Sequence, residues 1–302
     1  MEEKIGSKKN VLFVMVDQVI AKTLGSYGGS CQTPNIDNLS KEGITFDNAY
    51  TPTSLCSPAR ASIFTGKLPI KHGIIANTGE PYGKSESEIE NVKSVITHYL
   101  LNAGYKCGYA GKWHIGEKKG PREYGFEGTK ISHYGWPGFV EEYDEFLKKQ
   151  DHVGLNAIQV KNLIAEESLP EKSYGLFSET MQRLVKIGVL YSATIDLPTN
   201  LTEPGFVAEK TIELLKKYKD KPFFITASFW GPHHPAFPSP EFTGRHNPED
   251  IPEWGNFHDD LSNKPRIQKR YIKSFHRKLG SFVFRVNIFL GLITHNADEF
   301  SA

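Results

Sequence analysis

Val11-Leu12-Phe13-Val14-Met15-Val16-Asp17-Gln18 is the stretch that decides the fold. Its apolar run is short and rich in valine, which suits a central parallel strand covered on both faces. It stops at two oxygen-bearing side chains, and open α/β sheets bind ligands beyond the carboxyl ends of their strands. Two further runs repeat the arrangement. A strand expected over residues 105–111 follows a helix expected over about 94–102 and leads into Lys112-Trp113-His114-Ile115-Gly116. A strand expected over 222–230 follows an amphipathic helix over about 204–218 and leads into Gly231-Pro232-His233-His234-Pro235. Alternating strands and helices place the chain in the α/β class, with a mostly parallel or mixed central sheet flanked by helices.

Each strand end carries candidate chemistry with a structural alternative. The Asp17 carboxylate and the Gln18 amide carbonyl suit a hard divalent cation, or simply cap the next helix. Lys112 and His114, two apart in an extended segment, point the same way. The lysine could hold an anionic oxygen and the histidine could move a proton near neutral pH; the alternative is a surface lysine beside a packed tryptophan. Proline on both sides restricts His233 and His234, which fits a site or a plain turn. A fourth stretch, Cys56-Ser-Pro-Ala-Arg-Ala-Ser-Ile-Phe-Thr-Gly66, reads as a short helix with a tolerated early proline and a glycine stop. Arg60, four residues on, returns toward the sulfur, and the helix N-terminus attracts anions. Cys56 is thus either a buried structural cysteine or a nucleophile inside an anion-binding site.

Cys56-x-Pro58-x-Arg60 followed by Thr65-Gly66 resembles the signature of the sulfatase family, formylglycine-dependent enzymes of the alkaline-phosphatase-like superfamily. The similarity runs from Asn10 to about Phe242 in the family's order. It takes in Asp17-Gln18, Thr33-Pro34-Asn35-Ile36-Asp37-Asn38-Leu39, a GKWHxG segment at 111–116 and a Pro-His-x-Pro segment at 232–235. The resemblance implies an alkaline-phosphatase-like N-terminal domain in which Cys56 is oxidised to formylglycine, whose hydrated aldehyde is the nucleophile. It makes Asp17, Gln18 and the modified Cys56 ligands of one divalent cation, Ca²⁺ rather than Mg²⁺. Arg60 and Lys112 hold charge, with Lys112 on the sulfate. His114 binds the diol and takes its proton, and His233 contacts sulfate or protonates the leaving oxygen. His234 falls at a variable position, and Asp37 reads as framework. The implied substrate is a sulfate-ester small molecule or glycan, and the implied partner a formylglycine-generating maturation enzyme. Relatives of the same architecture cleave phosphonate monoesters or phosphodiesters, and Asp17-Gln18 occurs in both branches.

Composition bounds the rest. The 302 residues hold 36 basic and 35 acidic side chains, a balance that argues against a nucleic-acid or polybasic membrane surface. Cys31, Cys56 and Cys107 imply no disulfide framework. The start carries no apolar stretch, so a cytoplasmic location is expected. Residues 282–293 are apolar but short and broken by Arg285 and Asn287, too little to span a bilayer. Residues 120–202 read as loops and short helices over the site, where Tyr134, Trp136 and His152 could touch substrate, though packing is the expected role. The catalytic domain is expected over 1–275, followed by a divergent tail at 276–302. The family's distal Asp and Asn or His ligands, its second lysine and its C-terminal subdomain are not recognisable, and Asn296 to Glu299 lack the glycine turn of a substitute. The chain reads as truncated or frame-shifted, with weak metal binding and little or no activity of its own, or as a non-catalytic remnant.

Overall fold

All three apolar runs lie in one parallel sheet. The computed structural model describes residues 8–78, 88–116, 118–131, 140–152, 160–165, 191–233, 236–246 and 259–270, with backbone alone at 160–165 and 191–193. In chain order the elements are β1 (Val11–Val16), α1 (Pro34–Glu42), α2 (Cys56–Thr65), the single-turn α3 (Pro69–His72), α4 (Ile96–Asn102), β2 (Lys106–Lys112) and β3 (Glu127–Ile131). They continue as α5 (Glu141–Lys149), β4 (Val160–Ala165), β5 (Tyr191–Ile195), α6 (Glu203–Tyr218) and β6 (Phe223–Phe229). The chain divides into two compact units. One comprises residues 1–152 and 200–233, and the other 153–199 and 234–302. The second contains the antiparallel pair β4–β5.

The first unit holds a parallel sheet in the order β1-β6-β2-β3. Its register aligns the strand ends, with Val16 opposite Phe229 and Gly111 opposite Ser228. Whatever follows β1, β2 and β6 therefore emerges at one edge. Alternation along β2 sends Cys107 and Tyr109 into the apolar cluster with Phe64 of α2, while Gly108 between them meets Leu214 of α6. Within that cluster Trp113 stacks on Phe64 at 5.7 Å and meets Tyr109 edge-on at 5.2 Å. Such pairs each add about 0.5–1.5 kcal/mol beyond buried area. They fix α2 against the sheet, and with it the position of Cys56. On α6, Phe206, Val207, Thr211, Leu214 and Tyr218 form the buried stripe of an amphipathic helix.

β1 departs from expectation. Among the described residues it pairs with β6 alone, and Leu12, Val14 and Val16 are exposed while Phe13 and Met15 pack on the core. A continuous apolar run cannot announce which of its faces is covered, because both faces read alike. The helix expected from residue 94 begins at Ile96, after a tight turn at Val92–Ser94. Residues 132–139, with Tyr134 and Trp136, and everything from 271 onward, including the apolar run and Asn296 to Glu299, lie outside the described residues.

At Gly111 the backbone of β6 leaves no room for a side chain. Its φ is +107°, and a Cβ there would sit 1.9 Å from the Ser228 carbonyl oxygen. Gly111→Ala is expected to cost about 2 kcal/mol or more, since it adds backbone strain to a clash that no side chain can relieve. Denaturant melting checks this; an unchanged midpoint contradicts the close approach.

Candidate active site at the carboxyl edge of the sheet

Asp17 leaves β1 at the edge where β2 delivers Lys112 and β6 delivers Ser228. Lys112 is fully buried, and its Nζ donates to Asp17 Oδ2. Arg60, one turn into α2, reaches the same carboxylate with Nη2 at 3.6 Å. Its Nη1 donates to the Lys112 carbonyl at 2.9 Å and to Ser228 Oγ at 2.8 Å. Ser228 Oγ and the Tyr109 hydroxyl donate to that same carbonyl. One guanidinium thus ties together the ends of three strands.

Cys56 is the first residue of α2, and its Sγ lies 3.6 and 3.8 Å from the two Asp17 oxygens. The next backbone N–H, of Ser57, donates to Asn77 Oδ1 at 3.1 Å, so a distant residue caps the helix. Past β6, His233 places a ring nitrogen so that it, the Cys56 sulfur and an Asp17 oxygen all lie within 4.8 Å of one another. The Trp230 ring stacks on the His233 ring, centroids 6.3 Å apart.

Charge follows from this packing. Burial alone would raise the Asp17 carboxyl, but Lys112 and Arg60 outweigh it and hold it below its usual value. Burial pushes the Cys56 thiol up; Asp17 adds to this, against Lys112 and Arg60. Lys112 is lowered by burial and by Arg60, against the pull of Asp17. Burial, then Lys112 and Arg60, drive His114 down to about 3. His114 Nε2 lies 3.1 Å from the Thr78 carbonyl oxygen, which can only accept, so Nε2 carries the proton and Nδ1 is the basic nitrogen.

The sulfatase profile matches residues 9–275. The chain belongs to the sulfatase family. It is similar to an arylsulfatase of Clostridium perfringens, at 27% identity over 84% of this chain and 50% of that protein. It is also similar to the uncharacterized sulfatase YidJ of Escherichia coli, at 27% over 90% of this chain and 48% of that one. A stretch of 111 residues, 36% of this chain and 22% of the relative, is 39% identical to arylsulfatase A of Bos taurus. The sulfatase-family chain therefore spans about half the length of the first two relatives or less. Among solved structures, the phosphonate monoester hydrolase of Agrobacterium radiobacter shares the fold at TM-score 0.55 and 20% identity, over 82% of this chain and 45% of that one. So does a protein solved with its substrate D-glucosamine-2-N,6-O-disulfate, at TM-score 0.53 and 22% identity, over 87% and 42%.

The sulfatase-family site gathers Asp17, Cys56, Arg60, Lys112 and His233 as neighbours. One expectation is corrected. Lys112 and His114 do not share one extended segment: His114 takes a left-handed φ of +53°, which breaks strand alternation, and its Nε2 meets the Thr78 carbonyl. Gln18 also has a left-handed φ, +60°, and is exposed. Left-handed backbone in a non-glycine residue costs roughly 1–2 kcal/mol, and both instances fall at strand ends of the site. Asp37 is framework, accepting from the Ser26 N–H and the Thr33 hydroxyl. His152 is half-buried on its own loop, and His234 lies outside the described residues. Sequence reading missed Ser228, Tyr109, Asn77 and Thr78. A serine at the end of an apolar strand was a signal for the first; nothing local marked the others.

His114 predicts a pH dependence. Its folded value, about 3, lies below its ordinary 6.5, so the folded state binds fewer protons between those values. Its contribution is full above pH 6.5 and is lost as pH falls toward 3, with a slope of up to about 1.4 kcal/mol per pH unit. In urea melts across that window, His114→Asn should show a shallower loss than the parent; parallel curves contradict the assignment.

Proposed function

We propose that this site hydrolyses sulfate esters, with Cys56 serving as the precursor of formylglycine and not as a thiolate nucleophile. The observation that carries the reading is the place of Cys56, first in α2 with its Sγ 3.6 and 3.8 Å from the Asp17 oxygens and within 4.8 Å of a His233 ring nitrogen. Reactive thiolates are lowered in pKa by nearby cations. Here two cations lie close by, yet burial and Asp17 win and the thiol is held protonated. The same two cations suit an anionic group arriving beside the N-terminus of α2.

Formylglycine at residue 56, when present, supplies an oxygen nucleophile, and a divalent cation, Ca²⁺ rather than Mg²⁺, supplies charge against the oxygens that become more negative. Asp17 fits such an ion: it is held ionised, and its oxygens stand beside residue 56, with Gln18 next in sequence. Arg60 and Lys112 orient the sulfate, and His233 gives a proton to the leaving oxygen. His114, fixed with Nδ1 as its basic nitrogen, accepts from residue 56. Burial depresses His114 most, and an incoming anion offsets the further effect of Lys112 and Arg60, which raises its basicity in part. The substrate we favour is a sulfated sugar; several relatives are named for sugar sulfates, among them the N-acetylgalactosamine-6-sulfatase of Homo sapiens.

Ca²⁺ takes about six to eight oxygens, more than the described residues bring to Asp17, so metal affinity is expected to be weak, at about the millimolar level. The test is the full chain produced with a formylglycine-generating enzyme. The expected outcome is thiol-to-aldehyde conversion at Cys56 by intact mass. Any turnover of sugar or aryl sulfate is expected to be slow, dependent on added Ca²⁺ and absent in Cys56→Ala. Turnover unchanged in Cys56→Ala, an intact thiol after co-production, or preference for a phosphonate monoester over every sulfate would each overturn the reading.

A further inference from the structure

Glu203 is a buried carboxyl that the chemistry above does not use. It opens α6 and is 2% exposed, although first-turn acids usually stay in water and buried glutamates are rare unless paired. Its Oε1 accepts the Trp230 backbone N–H at 2.9 Å. Trp230 is the residue at which β6 gives way to the turn that carries His233. The His233 N–H donates back to the Trp230 carbonyl at 3.1 Å, and the indole stacks on the imidazole. Glu203 itself is well anchored. Phe206 packs against Tyr143 and Phe146, and Gly205 allows α6 to approach the Asn200 carbonyl so closely that a Cβ would lie 2.0 Å from its oxygen.

We infer that Glu203 is a positioning residue for His233: through the Trp230 backbone it transfers the rigidity of α6 to the turn, and so fixes where the imidazole meets Cys56 and Asp17. The inference deepens the proposed function and rests on His233 serving the bound anion. Burial pushes the Glu203 carboxyl up to about 8, against the backbone N–H groups of Trp230 and Gly231. The neutral acid is therefore the form present near neutral pH, and a glutamine keeps the same accepting oxygen. A helix cap alone would explain neither the depth of burial nor the choice of Trp230 as partner, since caps serve the N–H groups of their own helix.

The test uses the full chain with labelled histidine, following the His233 ring resonance through a pH titration and measuring the affinity for inorganic sulfate. His233→Ala assigns the resonance. Glu203→Gln is expected to leave the His233 shift, its midpoint and sulfate affinity close to the parent. Glu203→Ala is expected to move the resonance and its midpoint and to weaken sulfate by roughly tenfold or more, since small misplacements of a site group are costly. Glu203→Asp, which keeps the acid but shortens its reach, should behave like the alanine variant and serves where alanine fails to fold. An unmoved His233 resonance in Glu203→Ala or Glu203→Asp, with or without a lower melting temperature, overturns the inference. Sulfate affinity unchanged in His233→Ala would instead sink the role given to His233, while the resonance shift still reports on Glu203.

Discussion

The Asp17 carboxylate, held between Lys112 and Arg60 at the edge of the sheet, is the interaction on which the site depends. Three charged groups are desolvated together, and Lys112 has no contact with solvent. Such clusters add little net stability, because desolvation offsets their attraction, yet removing one partner typically costs about 3–5 kcal/mol. Their consequence here is geometric. Arg60 also holds the Lys112 carbonyl and Ser228, so the ends of β1, β2 and β6 cannot shift independently. A lysine at position 60 could not repeat this, having a point charge where the guanidinium offers a rigid fork.

The same cluster sets the chemistry. Its two cations outnumber the one carboxylate, which leaves positive charge available to an anion. It does not go to activating sulfur. Cys56 sits too deep and too near Asp17 for the cations to prevail, and the thiol stays protonated. Electrostatics that would suit a cysteine nucleophile are thus spent on Asp17, which supports the view that residue 56 acts after conversion to another group.

Much of this was legible in the sequence. The strand at 11–16 and the helix from Cys56 to Thr65 with its Gly66 stop match their apolar runs and punctuation. Asp17, Arg60, Lys112 and His233 each stand at a strand end or one helical turn from Cys56, but it was the resemblance to the sulfatase motifs that singled them out from their structural alternatives. What stayed hidden was non-local. Nothing at Asn77 says it caps a helix twenty residues back, and Glu203 reads as an ordinary first-turn acid until β6 is laid beside it. His114 misled for a different reason: the alternation rule assumes extended backbone, and its left-handed φ removes that assumption.

The most direct test of the central claim is the ionisation of Cys56 in the unconverted chain, measured as the pH dependence of its alkylation rate with Cys31 and Cys107 replaced by serine. The midpoint is expected above 9.0, the ordinary thiol value, with slow reaction at neutral pH. A midpoint below neutral would show a thiolate activated by Lys112 and Arg60, and so a cysteine nucleophile in place of a formylglycine precursor.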